Sequence, residues 1–166
     1  MRWATPADAP AIARIYNEGI EDRVATFETE PRSPEVIARI LREHGDHLPT
    51  VVVVRDREVV AFAWMSGYRQ RPAYAGVAEH SVYVARSARG SGAGFEALTA
   101  LVSAAEGLGF WKLVSRIFPE NQASRRLHVK AGFREVGIYR RHAKLDGEWG
   151  DCVIVERLLG AAVRQP

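Results

Sequence analysis

The chain has 166 residues, of which 47% are apolar and 26% charged, the size and balance of one globular domain able to bury roughly 70% of its unfolded surface. Its 23 basic residues are interleaved with 20 acidic ones, leaving a formal charge of +3; that suits a small anionic ligand better than a nucleic-acid backbone. No apolar run reaches the roughly 18 residues of a membrane span, and MRWATPADAP lacks the apolar centre of a secretory leader, so a cytoplasmic location without membrane or nucleic-acid partners is expected. The single Cys152 can close no internal disulfide and no Cys-based zinc cage.

In chain order, Thr5-Pro6-Ala7-Asp8 supplies an N-cap, a proline at the first helical position and an early acid, and Ile12, Ile15, Tyr16 and Ile20 follow at helical spacing. Ser33-Pro34-Glu35 repeats the start signal for a helix ending near Gly45. Thr50 to Arg55 and Glu58 to Met65 read as strands around a hairpin at Asp56-Arg57, and Val77 to Ala85 as another strand. A helix following ARGSGAG ends at Gly109, and Lys112 to Phe118 is strand-like. Asn121 caps a helix to Ala131, closed by Gly132. Two long strands, Arg134 to Leu145 and Glu148 to Leu158, meet at Asp146-Gly147, a two-residue hairpin signal. With no linker, repeat or low-complexity run, residues 1–166 read as a single domain. The mixed order of strands and helices predicts an α+β or α/β protein whose central sheet is partly antiparallel.

The stretch ARGSGAG sits at a strand-to-helix junction. It fits neither G-x-G-x-x-G, because Phe95 stands at the third glycine position, nor a Walker loop, because no Gly-Lys pair exists. What remains is Arg-x-x-Gly-x-Gly ahead of a helix, where free N–H groups and the positive helix end attract a pyrophosphate; a flexible turn is the alternative.

After SVYVA, the loop Arg89-Gly90-Ser91-Gly92-Ala93-Gly94 resembles the acetyl-CoA pyrophosphate loop of GNAT N-acetyltransferases, and PENQASRRLHVKAGF resembles their second signature. IYNEGIEDRVATFETEP, RQRPAYAGVAEHSVYV, GFREVGIYRRH and DGEWGD are similar to the phosphinothricin N-acetyltransferase group, and IEDRVATFETEP together with GFWKLVSRIFPEN and KLDGEWGDCVIVERL most resembles its arsinothricin-resistance members. The resemblance implies α/β/α layers, a mostly antiparallel sheet with a splayed strand pair, acetyl-CoA as co-substrate, no metal, a homodimer, and a small amino-acid acceptor acetylated on its α-amine. Another acceptor, such as methionine sulfone, a polyamine or a protein N-terminus, is the competing reading. A non-catalytic acyl-CoA binder is the alternative from another class.

An ammonium must lose a proton before its nitrogen attacks a thioester, so a carboxylate near the reacting centre is wanted. By the resemblance Glu79 is that base, acting through water; taken alone it is equally an exposed strand carboxylate. The resemblance further implies backbone donors to the developing oxyanion at Val82, Tyr83 and Val84, coenzyme contacts at Asn121 and Ser124, and His128 near the sulfur. An acceptor with two anionic groups calls for Arg, and Arg69 and Arg71 match basic acceptor positions, with Phe27, Tyr74 and Tyr83 as aromatic companions. Val77-Ala78-Glu79 departs from the Thr-Val-Glu common in the family, which leaves the substrate open. His44 and His47 have no third ligand nearby, Cys152 reads as buried, and Trp111 and Trp149 read as packing or interface residues.

Overall fold

Two tight turns set the sheet. Asp56 and Arg57 both adopt left-handed backbone (φ 50° and 68°), the geometry that matches strand twist in a two-residue hairpin, and join β2 (Thr50–Arg55) to β3 (Glu58–Gly67). Asp146 and Gly147 (φ 49° and 87°) do the same for β6 (Arg134–Leu145) and β7 (Glu148–Leu158). With β1 (Arg2–Trp3), β4 (Val77–Val84) and β5 (Lys112–Ile117) these form one seven-stranded sheet, ordered β1-β2-β3-β4-β5-β7-β6. Every neighbouring pair is antiparallel except β4 with β5. The computed structural model describes residues 1–164.

Strand alternation sends side chains to two cores. Val51, Val53, Ala61, Ala63 and Met65 pack under α3 (Ala93–Gly107), while Val52, Phe62, Trp64 and Tyr83 pack under α1 (Ala9–Glu21) and α2 (Pro34–His44). The layers are therefore α/β/α, as expected, with α4 (Gln122–Lys130) against α3 and a short α5 (Ala161–Arg164) at the end.

Several bounds differ from the sequence reading for local reasons. Pro10 has no N–H to give the carbonyl of Pro6, so the chain opens with a 3-10 turn at Pro6–Asp8 before α1. There Asp8 takes the Thr5 N–H at 2.7 Å and a two-pronged bond from Arg2 at 2.7 Å. The Arg2 guanidinium holds the Asp8 carboxyl below its usual range. β3 runs on to Gly67, β4 stops at Val84 and β5 at Ile117. β6 is interrupted, with register slips at 135–137 and 139–143 and a left-handed Arg141 whose N–H is taken by Asp151 at 2.7 Å.

β4 and β5 stay in register only over Val77–Glu79 and Lys112–Val114. β4 remains paired with β3 up to Val84, and β5 with β7 up to Ile117, so beyond that point the two strands part. At the fork Ser115 Oγ donates to the His80 carbonyl at 2.8 Å, replacing the lost ladder bond with a side-chain one.

Candidate active site

Beyond the fork the strands open into a cleft of about 550 Å³. The Ala85 N–H bonds the Val60 carbonyl at 2.9 Å; by the alternation of an antiparallel ladder, the N–H groups of Val82 and Val84 then face away from β3, into the gap that β5 has left. The same cleft reaches the start of α3. Gly92 there is left-handed (φ 87°), and no side chain caps the helix. The first i→i−4 bond is Glu96 N–H to Gly92 O at 3.1 Å, so the N–H groups of Ala93, Gly94 and Phe95 have no helical partner. All three residues line the cleft. Free amides thus stand at both ends of the cleft, on β4 and at the positive end of a helix.

The three glycines divide their tasks. Gly90 and Gly92 hold left-handed backbone (φ 76° and 87°), which only glycine adopts freely. Gly94 serves packing: a Cβ there would stand 3.0 Å from Val84 Cγ2 and 3.4 Å from Leu127. Ser91 is exposed and folds back on its own turn, its hydroxyl donating to Ala88 O at 2.5 Å, and it does not line the cleft. Arg89 lines it but is paired with Asp22 at 2.5 Å, and Asp22 also holds Arg86 at 2.7 Å. Those two guanidiniums, Arg86 foremost, keep the Asp22 carboxyl below the usual carboxylate range.

α4 forms the opposite wall. Asn121 caps it, taking the Ser124 N–H at 3.0 Å, and its amide donates to Val24 O at 3.0 Å, so both polar ends are engaged within the protein. His128 is 1% exposed yet borders the cleft. Its Nδ1 lies 2.8 Å from Ser124 O and its Nε2 3.0 Å from Nε2 of His80, itself 3% exposed. Burial lowers the His128 imidazole, partly offset by the Ser124 carbonyl; burial first and His128 second push His80 down to about 3. Tyr83 stacks on Phe62 and packs at a tilt against Tyr16, and its phenol is raised by burial.

Not all the expected residues converge here. Val82, Tyr83, Val84, Arg89, Gly90, Gly92, Ala93, Gly94, Asn121, Ser124 and His128 share the cleft. Glu79 faces the side of β4 opposite His80 and pairs with Arg116, which does line the cleft. Phe27 lies in a second hollow of about 470 Å³ with Arg23, Trp149 and Asp151; Phe118, edge-on to Phe27 at 4.5 Å, borders both hollows. Arg69, Arg71 and Tyr74 line neither. They sit on the β3–β4 connection, with Arg69 over the rings of Tyr68 and Tyr74 at 5.3 and 5.8 Å and Arg71 opening a 3-10 turn.

Residues 1–134 match the acetyltransferase (GNAT) domain. The chain belongs to the GNAT acetyltransferase family. It is 34% identical to the phosphinothricin N-acetyltransferase of Streptomyces coelicolor, over 96% of this chain and 95% of that protein. Among solved structures it is similar to a GNAT phosphinothricin acetyltransferase of Sinorhizobium meliloti in complex with AcCoA (33% identity, TM-score 0.89, covering 99% and 90% of the two chains). It is similar as well to a ribosomal-protein-alanine N-acetyltransferase of Brucella melitensis (32%, TM-score 0.91, covering 95% and 98%). The chain is thus a GNAT enzyme grouped with phosphinothricin N-acetyltransferases.

Sequence reasoning passed over His80, Ser115, Arg116, Arg126 and Lys130, all of which the fold brings to the cleft or its rear wall. For His80 a signal existed: in AEHSVYV the two-residue strand period puts His80 with Val82 and Val84, on the face opposite Glu79. Arg126 and Lys130, one turn apart on α4, follow the helical period in the same way. Among the described residues no three His, Cys, Asp or Glu side chains converge as a metal site, and no helix is long and apolar enough to cross a membrane.

Proposed function

We propose that this single-domain enzyme transfers acetyl from acetyl-CoA to the α-amine of phosphinothricin- or arsinothricin-like amino acids, and so serves to neutralise such compounds in the cytoplasm. The observation carrying the reading is the pair of free-amide groups that share one cleft, Val82 and Val84 in the strand fork and Ala93, Gly94 and Phe95 at the uncapped start of α3. Such a pair matches a ligand with a diphosphate at one end and an acyl group at the other. The cleft fits it: the bare left-handed Gly90 and Gly92 leave open space where a Cβ would point, and Arg126 and Lys130 add positive charge at the mouth, while the charge of Arg89 is met by Asp22.

In this reading the α3 amides hold the diphosphate, while the Val82 and Val84 amides align the arm and receive the charge that develops on the carbonyl oxygen. Asn121 and Ser124 shape the α4 wall, and His128 forms its inner end, beside the sulfur. Glu79 takes the ammonium proton through water, and its partner Arg116 links that carboxylate to the cleft. The second hollow, with Phe27, receives the acceptor side chain. Arg69, Arg71 and Tyr74 stay acceptor candidates on resemblance alone, at the rim where the chain enters β4. The exposed apolar residues Val136, Ile138, Tyr139 and Trp149 on the β6–β7 edge support a homodimer.

The test is thiol release by purified protein supplied with acetyl-CoA and a panel of amines: phosphinothricin, arsinothricin, methionine sulfone, spermidine and a peptide with a free N-terminal alanine. Turnover with the first two and little with the last two is expected. Turnover with the peptide alone would move the enzyme to protein N-termini, and no coenzyme uptake in calorimetry would remove the reading altogether.

A further inference from the structure

We propose that His80, buried behind the cleft, is a positioning residue for acetyl transfer, an inference that rests on the function proposed above: it fixes the tautomer and placement of His128. The proton inventory of the pair supports this. A carbonyl oxygen only accepts, and Ser124 O at 2.8 Å is much nearer His128 Nδ1 than the Ser124 hydroxyl at 3.4 Å, so Nδ1 carries the ring proton. The neutral ring then offers a lone pair at Nε2, and His80 Nε2, 3.0 Å away, must be the donor. This leaves His80 Nδ1 without a proton; it makes no hydrogen bond among the described residues, and the nearby Val114 backbone only partly offsets the lowering by burial and His128. Both rings are neutral at physiological pH, in line with the effect of their burial.

The consequence is mechanical. Ser115 Oγ–H bonds the His80 carbonyl, His80 bonds His128, and His128 bonds Ser124 O, so one chain of hydrogen bonds ties β5 to β4 to α4 across the inner end of the cleft. Phe133 packs on both imidazoles, with ring centres 4.9 Å from His80 and 5.2 Å from His128, and closes the pair from behind. Both His128 nitrogens are spoken for, so His128 serves the reaction by where it stands, as a fixed wall. His80 holds that wall at the distance the arm of the coenzyme requires.

Histidine-ring nitrogen NMR on the full-length protein tests the pair directly. At pH 7 we expect His128 as the Nδ1–H tautomer and His80 as the Nε2–H tautomer. His80→Gln puts an amide donor near the position of Nε2, whereas His80→Leu fills the space without one. In the Leu variant kcat should fall about tenfold, the scale of a sub-ångström to ångström misplacement, with KM for the amino acid within about twofold, and His128 should become a mixture of tautomers. The Gln variant should keep kcat within about threefold of the parent and hold the His128 tautomer. An Nε2–H or doubly protonated His128 in the parent, an unchanged kcat in the Leu variant, or a Gln variant no better than Leu would each overturn the proposal. Should His80→Leu fail to fold, the parent spectrum and the Gln variant still decide it. If the protein acetylates no amine at all, the function falls and the catalytic half of this inference with it, while the tautomer measurement still judges the pair.

Discussion

At the start of α2, Ser33 Oγ accepts the Val36 N–H at 3.4 Å, Pro34 has no N–H to satisfy, and Glu35 meets the positive end of the helix. At the start of α3 none of this is present: Gly92 has no side chain, and the only acid in the first turn, Glu96, is drawn off by Arg55 at 2.6 Å. Every helix leaves its first N–H groups without internal partners. α2 meets that need within its own turn, whereas α3 leaves it to whatever enters the cleft. α4 sides with α2, capped by Asn121. A helix start left open at a cleft, where α2 and α4 carry side-chain caps, marks where an outside anion is part of the design.

That contrast can be broken. Asp visits left-handed backbone more readily than most residues, so Gly92→Asp should fold at some cost in strain, place a carboxylate at the start of α3 and repel a diphosphate. Its dissociation constant for acetyl-CoA should rise about 100-fold, ~2.8 kcal/mol, by calorimetry; unchanged affinity would mean that the α3 amides are not the anion site.

The fork beside the open helix carries its own pH signature. His80 sits at about 3 in the folded protein, against about 6.5 in an unfolded chain. Its folded value is depressed, so stability is fully present above about 6.5 and drains away as pH falls towards 3, because only the unfolded chain takes up the proton. By pH 5 the loss from His80 alone is on the order of 2 kcal/mol, read as the urea midpoint against pH, and His80→Leu should flatten the slope. Ser115→Ala removes the hydroxyl that satisfies the His80 carbonyl. A cost of about 1–3 kcal/mol is expected, with no gain in cleft order. Smallest of all, Ser33→Ala should cost about 1 kcal/mol in thermal unfolding and leave coenzyme affinity untouched, since the α2 cap faces nothing that binds. Equal effects of Ser33→Ala and Gly92→Asp on coenzyme affinity would erase the distinction between the two helix starts.

Much of the cleft was legible because its parts are local. Gly90 and Gly92 advertise left-handed backbone, Asn121 a cap, and SVYVA a strand running into a loop. Other parts were not, because they depend on partners far along the chain. Arg89 reads as a phosphate ligand until α1 brings Asp22 to it. Gly94 reads as part of a phosphate cradle until Val84 and Leu127 fill the space beside it. Glu79 and His80 are sequence neighbours on opposite faces of β4, and only Arg116 from β5 and His128 from α4 show what each face meets. Arg69, Arg71 and Tyr74 match a family pattern, yet the β3–β4 connection gathers them around one another, outside both hollows.

What the sequence alone determined is the set of elements, their turns and the bare loop ahead of α3, because periodicity, caps and left-handed glycines act over a few residues. The parting of β4 from β5, the buried imidazole pair at its root and the division into two hollows were decided by tertiary structure. They arise where β7 keeps hold of β5 while β3 keeps hold of β4, a competition between long-range pairings that no local stretch of chain records.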